Sequence, residues 1–131
     1  MKIFLGTFFI LHGLVHLLYM GHSLNYFELE KGFIWPDNSK LLANIFSLPT
    51  RKMLAGVLCF VAAISFILSG ACVLIGHPWQ HLVSIISVIV STVLFIAFWD
   101  GSRIKVDTQG GIAIKLNILI LVFMLIFNRV Y

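Results

Sequence analysis

From Met53 to Trp99 the chain has not one Asp, Glu, Lys or Arg. A single spanning helix needs only about 20 apolar residues, so this run is long enough for two. Charge is scarce elsewhere as well. Of 131 residues 11% are charged and 60% are hydrophobic, where a soluble domain carries roughly 25% charged residues. With a mean hydropathy of +1.05, the composition is that of a membrane protein. Other absences exclude activities. There is no C-x-x-C, and Cys59 and Cys72 stand thirteen apart. In one helix that is about 20 Å of axis, too far for a disulfide between them, so both read as core fillers. No Asp or Glu falls inside a predicted span, which argues against a proton-coupled pump built on a membrane carboxylate. No phosphate-binding glycine loop is present, so nucleotide hydrolysis lacks its residues. The nine Lys and Arg form no dense patch, and no nucleic-acid partner is expected despite a pI of about 9.3.

What is present reads as four spans, at about 3–24, 53–75, 79–99 and 112–130. Gly76 and Pro78 in "IGHPWQ" break the long run, and Pro78 suits the first turn of the next helix. The fourth span is uncharged only over Leu116–Asn128 and needs Lys115 to snorkel to the interface. The first is too long for a signal segment and lacks a small-residue cleavage site after it, so it is expected to be retained. Helices are expected rather than a barrel, because strand alternation is missing. The expected fold is therefore an all-α, four-helix transmembrane bundle forming a single domain. Lys31, Lys40, Arg51, Lys52, Arg103, Lys105 and Lys115 fall on one side of it, against Lys2 and Arg129 on the other. That imbalance puts both large loops in the cytoplasm and both termini outside a prokaryotic plasma membrane. The lipid bilayer is the expected partner, with a homo-oligomer or a larger membrane complex open. Tyr19, Tyr26, Trp35, Trp79, Trp99 and Tyr131 fall near predicted interfaces.

The first loop, "IWPDNSKLLANIFSLPTRK", predicts a turn at Pro36–Asn38 and then a short helix. Asn38 or Ser39 would cap it, and Pro49 would end it. Its Leu41, Leu42, Ile45, Phe46 and Leu48 share one face, to lie on the leaflet or to pack back on the bundle. The second loop, "WDGSRIKVDTQGG", reads as a tight connection. Small pairs at Ala55–Gly56, Ala62–Ala63 and Ser69–Gly70 recur every seven residues, as Gly6 and Gly13 do. Such stripes mark close helix packing. Ser84, Ser87 and Ser91 line one face of the third span.

Chemistry concentrates in "FFILHGLVHLLYMGH". His12 and His16 are i, i+4 neighbours, His12 about 13 Å deep at 1.5 Å per residue from Ile3, and both lie toward the glycine side. They should therefore face protein. An ionisable residue at that depth is a functional candidate, yet a neutral imidazole bonded to a serine or carbonyl of a neighbouring helix would equally lock the bundle. His77 and His81 repeat the spacing nearer the surface, and Ser84 lies close to His81. The ligand-binding candidates are thus His12, His16, His81 and Ser84. Shared ligation of one metal by His12 and His81 is strained by about 10 Å of depth. A haem held by His12 and His81, or by His16 with another ligand, would span more. A serine-hydrolase constellation is not supported.

Together "LHGLVHLLYMG", "FIWPDNS", "FWDG" and "GGI" resemble small, uncharacterised four-span membrane proteins of prokaryotes over nearly the whole chain. In outline the chain is also similar to the broad DoxX-like group of four-helix membrane proteins. That likeness implies an association with quinone-linked redox complexes, and carries no catalytic residue. The expected function is a non-catalytic or accessory membrane protein with a His-lined pocket for a lipid or quinone. The rivals are an oxidoreductase using His12 and His16 for haem, metal or quinone, and an oligomeric channel or transporter protomer.

Overall fold

A computed structural model describes residues 1–101 and 111–127. Arg103, Lys105, Asn128, Arg129, Tyr131 and most of the second loop lie outside the described residues, as does the end of the predicted fourth span. Regular structure among the described residues is helical: α1 Lys2–Ser23, α2 Leu48–Ile75, α3 Gln80–Ala97 and α4 Gly111–Phe127. The first three, of 22, 28 and 18 residues, are long and apolar enough to cross a membrane. The 17 residues of α4 rise about 25 Å, a little under a hydrocarbon core of about 30 Å.

Local chemistry sets the helix ends. Asn25, at φ 61, turns the chain out of α1, and Tyr26 N–H reaches Gly21 C=O at 2.9 Å. Asn tolerates this left-handed geometry better than most residues. Gly76, at φ 69, ends α2, and His77 N–H closes on Cys72 C=O at 2.8 Å. Two boundaries depart from the sequence reading. Pro49 opens α2 within its first turn, where the missing N–H is harmless, so α2 starts well before Met53. Pro78 sits in the turn before α3, which begins at Gln80 with Trp79 as its cap.

Successive helices pack antiparallel. Gly6 and Gly13 of α1 meet Gly70 and Ala63 of α2: a Cβ at Gly13 would lie 2.8 Å from Ala63 O, and one at Gly70 would lie 2.6 Å from Gly6 O. Neither obstacle is a movable side chain, so these backbones approach as closely as they do because no Cβ intervenes. Ala55, Gly56, Ala62, Ala63, Ser69 and Gly70 are all buried, as the seven-residue repeat requires. His12, His16, Asn117 and several serines are buried among the apolar core residues, while Leu11, Phe60, Leu68, Ile89, Val93, Leu119 and Leu125 face outward. That distribution suits apolar surroundings.

The loop between α1 and α2 packs back over one end of the helices. Trp35 is 1% exposed and joins Ala55, Cys59, Leu94, Phe95, Phe98 and Ala113 in a core cluster. It is thus an interior residue and not a surface anchor. Ser39 Oγ donates to Ala97 C=O at 2.7 Å, and Lys40 N–H to Trp99 C=O at 3.0 Å, which serves carbonyls left open at the end of α3. Ser39 Oγ also accepts Leu42 N–H at 3.1 Å, a capping bond. The segment after it is a series of turns and not a continuous helix. Leu41 and Ile45 face outward while Leu42 packs on the core cluster.

Candidate functional site

The i, i+4 spacing puts His12 and His16 on one side of α1, with ring centroids 5.0 Å apart. They are 6% and 1% exposed, which places both inside the protein. Phe66 of α2 sits against them, its centroid 4.5 Å from His12 and 5.4 Å from His16. Phe95 of α3 lies 5.7 Å from His16. Aromatic packing holds the rings, and polar partners orient them.

Those partners come from α3 and α4. His16 Nδ1 is 3.0 Å from the His12 carbonyl and His16 Nε2 is 2.7 Å from Ser91 Oγ. Asn117 Nδ2 donates to Ser91 Oγ at 2.8 Å and to Thr92 Oγ1 at 3.2 Å. His12 Nε2 stands 3.3 Å from Asn117 Oδ1. With both imidazoles taken as neutral, the chemistry of the partners sets the direction of each bond. A carbonyl only accepts, so His16 Nδ1 carries hydrogen and its Nε2, in neutral imidazole, accepts from the Ser91 hydroxyl. With that hydrogen committed, Ser91 Oγ accepts from the Asn117 amide. Asn117 Oδ1 then accepts from His12 Nε2–H. The sequence of bonds runs from His12 through Asn117, Ser91 and His16 back to the His12 carbonyl. It is a closed ring, and it joins α1, α3 and α4.

His81 and Ser84 lie elsewhere. Ser84 is buried, hydrogen-bonded to Ser69 across the α2–α3 contact, and donates to Gln80 C=O at 2.7 Å. His81 is half-buried in the wall of a separate cavity with Lys2, Leu5, Val73, Gln80 and Met124. From His81 to Ser91 is about 15 Å along α3. The structure therefore joins His12 and His16 to each other, and neither to His81 or Ser84. A haem axially held by His12 and His81 does not fit, because His81 lies about 15 Å along α3 from Ser91, at whose level the α1 pair and Asn117 meet. Among the described residues no three of His, Cys, Asp or Glu come together in a way suited to a metal. Cys59 is buried and Cys72 half-buried, both as free thiols.

Sequence reasoning missed Asn117, the member on which three helices converge. Its signal was available. It is the one side-chain amide between Lys115 and Asn128, and an amide deep in an apolar helix needs a buried partner.

Beside the ring runs an apolar groove of about 270 Å³ between α1 and α4, lined by Phe4, Leu5, Phe8, Leu119, Ile120 and Phe123. Phe8 is one turn from His12 and stacks on it at 6.0 Å. Ile120 is one turn from Asn117. Neither His12 nor Asn117 lines the groove; their 3.3 Å contact, the longest link in the ring, lies one turn further along each helix. No family model matches the chain, and neither the curated proteins nor the solved structures contain a match to it.

Proposed function

We propose that this chain is a non-catalytic or accessory protein of a prokaryotic plasma membrane, crossing it four times with both termini outside. In this reading α4 is the fourth span, with Lys115 snorkelling at its start. The His12–Asn117–Ser91–His16 ring latches the helices, and the groove beside it takes the apolar tail of a lipid or quinone. The observation that carries the reading is the entirely apolar lining of that groove next to a polar network whose members serve one another. A tail gains by burying against Phe4, Phe8 and Leu119, while the ring leaves no group poised for bond-making. Assembly into an oligomer or a larger membrane complex, and kinship with the DoxX-like group, belong to the same proposal.

The length of the His12–Asn117 contact favours a second, narrower version. A quinone carbonyl entering from the groove could accept His12 Nε2–H in place of Asn117. Mass spectrometry of organic extracts from the detergent-purified chain tests both. A long-chain apolar compound should co-purify, and Leu119→Trp, which fills the groove, should lower its amount at least tenfold. A quinone among the extracted compounds selects the narrower version. Unchanged content in the filled variant would overturn the groove's role.

A further inference from the structure

The apolar groove does not stop at Phe4 and Phe123. Where α1 begins it adjoins the cavity that contains His81, also of about 270 Å³, and the two share Leu5 and Phe123. Both open along the seam between α1 and α4. Helix α1 packs on α2, α2 on α3 and α3 on α4, whereas among the described residues α1 and α4 make no comparable backbone contact. Deeper in, the His12–Asn117 contact bridges the seam.

The two adjoining cavities differ in chemistry. The groove is lined by apolar side chains alone. The cavity at the helix ends adds Lys2, Gln80 and His81, which supply an ammonium, a side-chain amide and an imidazole N–H, all able to donate. Lys2 is exposed and the other two are half-buried. The Lys2 ammonium lies over the end of α2, where a Cβ on Gly76 would stand 3.1 Å from Nζ. No described carboxylate side chain lies at this end. Glu28, Glu30, Asp37 and Asp100 follow the far ends of α1 and α3, and Asp107 is outside the described residues.

This order, donors at the helix ends and apolar walls deeper in, matches an amphiphile lying along a leaflet with its head at the interface. Charge selects the head: an anion gains from Lys2 and meets no carboxylate, while an amine would be repelled. Space selects the tail. Drug-sized ligand sites run from about 300 to 1,000 Å³, and a single smaller groove takes one chain rather than the two of a phospholipid. We propose that the seam binds a long-chain fatty acid. Its carboxylate accepts from Lys2, Gln80 and His81, and its tail passes Leu5 and Phe123 toward Phe8 and Leu119. The inference rests on the groove taking an apolar tail, and it sets the head at the helix ends, away from His12.

Native mass spectrometry of the full chain in a non-ionic detergent, with palmitate or its uncharged methyl ester as probe, tests head and tail apart. Palmitate should bind at least tenfold more tightly than the ester. Lys2→Gln, at an exposed position, should weaken palmitate at least fivefold and leave the ester unchanged. Leu119→Trp should weaken both probes. Equal binding of the two, each lost in Leu119→Trp, overturns the acid head and leaves the groove's role standing. Palmitate binding unchanged in Lys2→Gln overturns the proposal as well, as does displacement of palmitate by equimolar phosphatidylglycerol, which would assign a two-chain lipid. Binding that ignores Leu119→Trp removes the groove and this inference together. No binding of either probe overturns the fatty acid, while the compounds extracted with the purified chain decide the groove's role separately.

Discussion

Two polar clusters occupy opposite roles in this molecule. In the interior, His12, Asn117, Ser91 and His16 are bonded to one another around a closed ring. Under the loop, Trp35 and Asp37 each keep a buried polar atom that nothing in the described chain meets. The contrast teaches that burial of a polar side chain is not by itself a sign of function. A network that closes on itself stabilises helix contacts.

The comparison can be broken by mutation, and the interior should respond most. Asn117→Leu removes the acceptor of His12 and the donor to Ser91 and Thr92 at once. Orphaned buried groups cost about 1–3 kcal/mol, with interhelical bonds in membranes toward the lower end. Unfolding in mixed micelles should register a loss in that range, the largest of the set. If Asn117→Leu is neutral, the ring is not a latch.

A second test uses the pair. His12→Leu combined with Asn117→Leu should cost clearly less than the two single losses summed, because replacing both partners by apolar groups removes the orphan each single change creates. A double-mutant cycle reads the coupling directly, and additivity would argue against the 3.3 Å contact. A smaller effect is expected at the loop. Lys52→Met breaks a partly exposed ion pair with Asp37, and such pairs contribute about 0–1 kcal/mol. A loss exceeding that of Asn117→Leu would reverse the assignment of roles. The smallest stability change, within about 0.5 kcal/mol, is expected for Glu28→Gln at the surface.

The positions of α1, α2 and α3 were legible to within a few residues, since long apolar runs and the Gly76 break are properties of neighbouring residues. The inward orientation of His12 and His16 was legible too, from their register with Gly6 and Gly13. The boundary errors came from proline: Pro49 and Pro78 could each end one element or begin another, and only packing selects between those uses. The first loop was misjudged for a related reason. Leu41, Leu42 and Ile45 share a helical face on paper, but Trp35 enters the core and Ser39 is bonded to the end of α3, and the chain between follows those anchors as turns.

Composition and order along the chain determined that this protein is helical, that three of its helices can cross a membrane, and that its histidines look inward. Those outcomes follow from local hydrophobicity and the 3.6-residue repeat, which a one-dimensional string contains. Only tertiary structure decided that His12 meets Asn117, 105 residues away, while His81 and Ser84 stay apart from it. It also decided that Trp35 is buried, with an N–H that has no partner among the described residues. The pairing of a polar group depends on which helix arrives beside it and at what height, and no residue's neighbours in sequence carry that information.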